Sequence, residues 1–266
     1  MMKMWGAKKD DVSRWGRVDA YLNGPFKEIG GWCIPFLWQG IQPLVDAMTE
    51  EGEVGPVAEI GVYHGKFLIG LVDSAGAAAN NYAIDVFEDQ EYNLDKAGKG
   101  DLEIFRNNLA LSGVSDSRVT IRKADSLALT SEDVLEIRRQ TGGFSLFSVD
   151  GCHTPEHTIN DVRIAMELTR QNGVIFVDDY YNVNWPGVQE GISKLYFFDA
   201  PRFVPLLFMS NKLFLCHYSV HAKRLATCEA FMRENHPTTR LKRVSRFGYD
   251  GLSAIPDPAG HRYLVT

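Results

Sequence analysis

The chain has 266 residues, of which 45% are hydrophobic and 23% are charged, and its formal net charge is -6. This composition is typical of a globular protein with a full core, and the acidic balance argues against nucleic acid as the main partner. The four cysteines form no C-x-x-C pair, so neither a zinc site nor a disulfide framework is indicated. No apolar run is long enough to cross a membrane, and the N-terminus lacks the apolar core of a signal peptide. We therefore expect a reduced, cytoplasmic protein without membrane contact.

The first fifty residues are rich in aromatic side chains and are broken by Gly30 and Gly31. Ile34 to Met48 has the pattern of a helix. We expect residues 1–50 to form an N-terminal helical extension that packs on the main domain and is a possible lid over its site, with most of its aromatic residues in the core. The main domain is expected over residues 51–220, and residues 221–266 are expected to form a C-terminal helix and tail packed on it.

A strand, a glycine turn and a helix begin the main domain. Pro56 to Ile60 is the strand, and the turn has the pattern E-x-G-x-x-x-G, formed by Glu59, Gly61 and Gly65. Such a turn allows a nucleotide-like ligand to approach the backbone closely. It is not the G-x-G-x-x-G of a pyrophosphate cradle, because Tyr63 stands where a glycine would be. An ordinary βα turn is the alternative.

Acidic residues follow the next two predicted strands. Asn81 to Ile84 ends at Asp85, which is placed to accept hydrogen bonds from ribose hydroxyls. Arg118 to Lys123 is followed by Asp125 and Ser126, where the edge of an adenine ring would lie. Each acid has a structural alternative, since aspartate and serine are also common caps of helices and turns.

A βαβ unit occupies the middle of the chain. Phe144 to Val149 and Val174 to Val177 are apolar runs of strand length. The helix between them is predicted to begin at Pro155 with Thr154 as its N-cap, and to end at Asn172-Gly173. Two strands joined by a helix are parallel, so their carboxyl ends meet at the same edge of the sheet.

Three carboxylates are therefore predicted to converge at that edge. Asp150 ends the first of these strands, and Asp178 and Asp179 end the second. Close carboxylates repel one another unless a positive charge lies among them, and a hard divalent cation with oxygen ligands is the natural candidate. In the alternative without a metal, Asp178 and Asp179 cap the following segment and Asp150 orients a cofactor.

The remaining elements are a helix, a hairpin and a second helix. The first helix is predicted over Val188 to Phe197, and the hairpin strands over Phe203 to Phe208 and Lys212 to His217. Residues 218–235 are predicted to be helical. The segment after Asn235 has no clear pattern.

The ordered motifs of residues 55–217 resemble those of the class I S-adenosylmethionine-dependent methyltransferases. More narrowly, they are similar to the metal-dependent small-molecule O-methyltransferases of the macrocin and macrolide-sugar type, and to the related cephalosporin-hydroxylase-like proteins. The motifs are EIGVYHGKF, YAIDVF, FRNNLALSGV, KADS, VDGCHTPEHTINDV and GVIFVDDY. The resemblance implies an α/β Rossmann-like fold, whose seven-stranded, mostly parallel sheet has an antiparallel hairpin at one edge and helices on both faces.

The resemblance also implies a binding site for S-adenosylmethionine. The turn from Gly61 through Tyr63 to Gly65, together with Glu59, would bind the methionine and ribose part. Asp85 would hold the ribose hydroxyls. The adenine would lie against Asp125 and Ser126.

By the same resemblance, Asp150, Asp178 and Asp179 would bind Mg²⁺ or another divalent cation. Asp150 would also be catalytic, and His153 corresponds to the general base of the sugar-methylating members. Several relatives carry a further acid where this chain has Cys152, which leaves His153 as the better base. The alternative for His153 is a loop histidine bonded to a neighbouring carboxylate.

The resulting prediction is a Mg²⁺- and S-adenosylmethionine-dependent O-methyltransferase that acts on a small hydroxylated acceptor, such as a sugar or a glycosylated natural product. One alternative is an NAD-dependent oxidoreductase, although the missing glycine and the lack of an evident Tyr-x-x-x-Lys pair count against it. The other is a non-catalytic cofactor-binding protein of the same fold. A homo-oligomer is expected from the general frequency of symmetric assemblies.

Overall fold

The computed structural model describes residues 14–76 and 80–256. The outer parts of the predicted N-terminal extension and C-terminal tail, residues 1–13 and 257–266, lie outside these ranges. The helices are α1 (Arg14–Asn23), α2 (Trp38–Glu50), α3 (Lys66–Ala75), α4 (Leu102–Leu111), α5 (Ser131–Thr141), α6 (Pro155–Leu168), α7 (Pro186–Phe198) and α8 (Tyr218–Asn235). The strands are β1 (Val57–Ile60), β2 (Asn81–Asp85), β3 (Val119–Lys123), β4 (Phe144–Val149), β5 (Thr169–Val177), β6 (Phe203–Met209), β7 (Lys212–His217), β8 (Arg240–Arg246) and β9 (Tyr249–Ile255).

All of these strands belong to one sheet in the order β3-β2-β1-β4-β5-β7-β6-β9-β8. Strands β3, β2, β1, β4 and β5 are parallel, and β7 pairs antiparallel with both β5 and β6. The chain reverses its winding at β1, which lies between β2 and β4. In open α/β sheets, ligands bind at such a switch point, beyond the carboxyl ends of the strands.

Helices cover both faces of the sheet. Apolar side chains of α1, α2, α3, α4 and α8 form one core with one face of the strands. The helices α5, α6 and α7 form the second core on the opposite face. Buried strands and helices on both faces are what a doubly wound sheet requires, so the predicted α/β fold class is confirmed.

The sheet has nine strands rather than the expected seven. The additional strands β8 and β9 come from the segment that the sequence pattern did not place. Strand β9 pairs parallel with β6, so the hairpin of β6 and β7 is internal, and β8 forms the edge. The side chains of β8 are exposed or half-buried and mostly polar, and this weak apolar signal explains why the strand was missed.

The helix predicted to end at Asn172-Gly173 ends earlier, at Leu168, and β5 begins directly at Thr169. The pairing of β4 with β5 is irregular between Phe144 and Leu146. A Cβ on Gly173 would lie 2.8 Å from the Ser145 carbonyl oxygen and 2.9 Å from that of Phe144. Gly173 is therefore needed for close strand contact at this irregularity and does not end the helix.

Most aromatic residues of the N-terminal segment are buried, as expected. Trp15, Tyr21, Phe26 and Trp38 belong to the core that contains α3. Among the aromatic residues of this segment from position 14 onward, Trp32 is the exception, because 78% of its surface is exposed.

Candidate active site

The carboxyl ends of the parallel strands surround one cavity of about 580 Å³. Nearly all of the site residues predicted from sequence line it. They are Glu59, Gly61, Tyr63, Asp85, Asp125, Ser126, Asp150, His153, Asp178 and Asp179. Gly65, the remaining one, lies behind the cavity at the start of α3, where an added Cβ would be 2.6 Å from the Phe105 ring.

The glycine turn brings β1 and β4 close together. Gly61 has a φ of +82°, and a Cβ at this position would lie 1.8 Å from the carbonyl oxygen of Asp150. Only glycine fits both the left-handed backbone and this contact. Gly61 therefore fixes the position of Asp150 relative to the turn.

Asp85 holds the same turn from the neighbouring strand. Its Oδ2 accepts a hydrogen bond of 2.7 Å from the Tyr63 amide, and its Oδ1 accepts one of 2.6 Å from the Phe87 amide. Burial raises the pKa of Asp85, and these amide hydrogen bonds partly offset the effect. A carboxylate can accept about four hydrogen bonds, so Asp85 has capacity left for a ligand in the cavity.

Asp125 and Ser126 have a structural role as a turn cap and also lie where a ligand could contact them. The Asp125 side chain caps a short 3₁₀ turn by accepting a 3.0 Å hydrogen bond from the Leu127 amide. The Ser126 carbonyl accepts one of 3.1 Å from the Asn160 side chain. Both residues also line the cavity, so capping fixes them at its wall.

Glu59 lies at the floor of the cavity and is almost completely buried. Burial raises its pKa to about 8, although the nearby Lys212 opposes the shift. Near neutral pH this side chain is therefore largely protonated and can donate a hydrogen bond.

His153 lies between two carboxylates. Its Nδ1 is 2.6 Å from Asp95 Oδ2, and its Nε2 is 2.9 Å from Asp179 Oδ2. The backbone amide of His153 also donates to Asp95 Oδ2, at 2.7 Å, and the Trp185 ring stacks on the imidazole with centroids 4.4 Å apart. These contacts fix both the position and the plane of the imidazole.

The two carboxylates stabilise the charged form of this histidine. Burial lowers the pKa of His153, but hydrogen bonds to Asp179 and Asp95 and the nearby Asp150 outweigh it and raise the pKa to about 10. The observed contacts therefore match the alternative interpretation of His153, in which its ring is bonded to a neighbouring carboxylate. It does not exclude a role in proton transfer, since carboxylate-bound histidines are common in catalysis.

The predicted convergence of Asp150, Asp178 and Asp179 is observed, but a lysine lies among them. Lys212 forms an ion pair with Asp178, and its Nζ is 3.8 Å from Asp150 Oδ2. Only 1% of the Lys212 surface is exposed. Burial lowers the pKa of Lys212, but Asp178 and Asp150 more than offset this and raise it above its usual value.

Asp179 has its own set of partners. Its Oδ1 accepts hydrogen bonds from the side-chain amides of Asn182, at 2.8 Å, and Asn211, at 2.6 Å. Ligand atoms of Asp150, His153 and Asp179 lie within 4.8 Å of one another, a spacing that could hold a metal ion. Asp150 is the most accessible acid of the group, with 27% of its side chain exposed. The outer face of the cluster thus offers oxygen and imidazole donors to the cavity.

Three residues of this cluster were missed from the sequence. Asp95 lies in an irregular segment between β2 and α4, which carries no periodic signal. Asn211 lies in the turn between β6 and β7, and Lys212 is the first residue of β7. Because β7 runs antiparallel to β5, it begins at the edge where β5 ends, and this topology could have identified Lys212.

Aromatic side chains form part of the cavity wall. Trp32 packs against Tyr63 with ring centroids 5.4 Å apart, and both line the cavity together with Trp185. Tyr180 and Tyr181, from the same loop as Trp185, instead pack on Phe208 outside the cavity. The N-terminal segment therefore contributes directly to the wall through Trp32.

Asp161 of α6, near Ser126, is a buried carboxyl group whose ionisation should change the stability of the protein. Burial raises its pKa to about 6 from an ordinary value of 3.8. The folded state therefore favours the protonated form of Asp161. The free energy of unfolding decreases as pH rises from about 4 through 6, because the buried side chain then has to ionise. We expect Asp161→Asn to remove this pH dependence and to increase the free energy of unfolding at pH 8 by roughly 3 kcal/mol. Urea unfolding at pH 4 and pH 8 measures the effect.

Asp116→Asn, at an exposed aspartate, is the matched control for that experiment. We expect it to leave the pH profile of stability unchanged. An Asp161→Asn profile parallel to that of the unmodified protein would contradict the predicted cost of burying this carboxylate.

Comparison with known proteins agrees with this architecture. Residues 58–180 match the family described as methyltransferase domain. No protein of curated function matches the sequence. Every helix in the described ranges is too short or too polar to span a lipid bilayer.

Two solved structures share the fold at low sequence identity. The O-methyltransferase NovP is 14% identical, with a TM-score of 0.54 over 67% of this chain and 78% of its own. A Klebsiella pneumoniae protein assigned as an O-methyltransferase is 17% identical, with a TM-score of 0.50 over 75% of this chain and 88% of its own. The predicted class I methyltransferase fold is thereby confirmed.

Proposed function

We propose that this chain, whose residues 58–180 match the methyltransferase domain family, transfers a methyl group from S-adenosylmethionine to a hydroxyl oxygen of a small molecule. One observation carries the proposal. The glycine turn and Asp85 suit a nucleoside-containing cofactor. They share a single cavity with the acidic cluster, which consists of Asp150, Asp178 and Asp179 beside His153. A methyl donor and a hydroxylated acceptor would therefore meet inside one site.

The residues around the glycine turn fit S-adenosylmethionine, which supplies an electrophilic methyl group when bound. Asp85 is fixed by two amide hydrogen bonds and retains capacity for the ribose hydroxyls. Asp125 and Ser126 face the same cavity and would border the adenine. Gly61 has no side chain, so the methionine part could approach its backbone closely. Glu59 would lie at the floor of the cavity next to this part of the cofactor.

His153 is the proposed general base. Asp95 keeps a proton on Nδ1, so Nε2 is the atom that accepts the proton of the acceptor hydroxyl. The carboxylates of Asp95 and Asp179 favour the charged imidazole, so Nε2 can act as a base only after Asp179 turns away from it and the Nε2 proton is released. The stacked Trp185 holds the ring plane, which limits the reorientation needed for proton transfer.

The acidic cluster fits a divalent cation such as Mg²⁺, since Asp150 and Asp179 offer carboxylate oxygens close to one another at the cavity. Asp150 and Asp179 would hold the ion, with Asp178 beside them. A cation there would lower the pKa of the acceptor hydroxyl and fix its position. The carboxylates would at the same time keep the acceptor oxygen near His153.

The acceptor is proposed to be a ring-bearing alcohol, such as a sugar or a glycosylated natural product. The flat faces of Trp32, Tyr63 and Trp185 border the cavity and can pack against a ring. The acidic cluster supplies the polar contacts that hydroxyl groups need.

Calorimetric titration of the chelator-treated protein with S-adenosylhomocysteine tests the cofactor class. We expect low-micromolar binding, about -8 kcal/mol. Asp85→Asn should weaken it about tenfold or more, because a neutral amide binds hydroxyls less strongly than a carboxylate. Asp116→Asn is the control and should bind normally. Absence of binding, or binding of NADH instead, would overturn the proposal.

A further inference from the structure

The charge balance inside the acidic cluster points to a role for Lys212. This residue begins β7 and is almost completely buried beneath the cluster. Its ammonium group pairs with Asp178, lies 3.8 Å from Asp150 Oδ2, and stands over the Phe67 ring at 4.5 Å from the centroid. A buried ammonium is stable only when carboxylates and an aromatic face replace its water.

Both carboxylate oxygens of Asp178 contact protein groups. Its Oδ2 pairs with Lys212, and its Oδ1 accepts a 2.8 Å hydrogen bond from the Asp179 amide. Only 5% of its side chain is exposed, compared with 27% for Asp150. Asp178 therefore points toward the interior cation, whereas Asp150 is open to the cavity.

We propose that Lys212 is a resident cation of the active site, which withholds Asp178 from the metal ligands and weakens divalent-cation binding at Asp150 and Asp179. The inference rests on the cation site of the proposed function. An ammonium group within a few ångströms of a divalent ion repels it strongly, because the surrounding protein screens charge poorly. The same ammonium also neutralises part of the carboxylate charge that would otherwise attract the metal.

The test is Mn²⁺ binding, followed by the paramagnetic resonance signal of the free ion, in the full-length protein and two variants. Lys212→Met removes the charge but keeps a long apolar stem, whereas Lys212→Arg keeps the charge. We expect Lys212→Met to bind Mn²⁺ at least about tenfold more tightly. Lys212→Arg should remain within about threefold of the unmodified protein. Equal or weaker binding by Lys212→Met would overturn the inference.

A second comparison does not depend on the folding of Lys212→Met. Asp178→Asn and Asp179→Asn are isosteric changes of neighbouring residues. If Asp178 is withheld from the metal, Asp179→Asn should weaken Mn²⁺ binding at least about tenfold more than Asp178→Asn does. Equal losses would show that Asp178 is a ligand and would overturn the inference.

The outcomes also separate this inference from the proposed function. Unchanged Mn²⁺ affinity in a folded Lys212→Met protein would contradict only the inference that Lys212 weakens cation binding. Absence of Mn²⁺ binding in every variant would overturn the cation site and the inference together. S-adenosylhomocysteine binding tests the cofactor class independently of both.

Discussion

Gly61→Ala is expected to destabilise the protein by roughly 3 kcal/mol or more and to abolish S-adenosylhomocysteine binding. The new Cβ would lie 1.8 Å from the Asp150 carbonyl oxygen and 2.7 Å from the Gly151 amide nitrogen. Backbone atoms at the end of β4 cannot move aside as a flexible side chain can. The strand end would therefore shift, and Asp150 would move with it. Urea unfolding and calorimetric titration measure the two effects.

Gly113→Ala is the matched control for that change. Gly113 also has a left-handed backbone, with a φ of +70°, but a Cβ there would meet no atom within 4 Å. It should cost only about 1 kcal/mol, the usual penalty for alanine in this conformation. If the two variants lose equal stability, close contact between β1 and β4 is not what requires Gly61.

Asp179→Asn is expected to reduce methyl transfer at least about a thousandfold while S-adenosylhomocysteine binding stays within about threefold. Asp179 belongs to the proposed cation site, which would hold the acceptor hydroxyl beside His153. Asparagine keeps the shape and tolerates the left-handed backbone at this position, where φ is 55°. The loss would therefore reflect charge and not misfolding. Transfer of labelled methyl groups to an acceptor identified by screening measures it.

Asp116→Asn serves again as a surface control and should retain full turnover. Methyl transfer within about tenfold of normal in Asp179→Asn would contradict the role of this carboxylate. A parallel loss of S-adenosylhomocysteine binding would instead indicate a general disturbance of the cavity.

The sequence predicted the parallel half of the sheet well because each of its strands is a short apolar run that ends in a polar residue. Asp85, Asp150 and Asp178 follow such runs, and parallel strands bring their ends to one edge. Chain-local patterns were therefore enough to place these acids around one cavity. The same patterns identified Thr154 as the N-cap of α6, where its side chain accepts a hydrogen bond from the His157 amide.

The prediction was less complete where contacts join distant segments. Gly173 has the local signature of a helix end, yet its contacts with Phe144 and Ser145 of the adjacent strand determine its role. The convergence of the acids predicts a positive charge among them, but Lys212, which supplies one, lies far from them in the chain. Asp95 lies 58 residues from His153 along the chain, and its pairing follows only from the folded loop.

The two edges of the sheet have a consequence for self-assembly. The outermost strands are β8, with the sequence RLKRVSR, and β3, which ends in Arg122 and Lys123. Unpaired strand edges tend to recruit edges of other molecules, and positively charged side chains discourage this by mutual repulsion. Copies of this chain should therefore resist joining their sheets into a continuous ribbon.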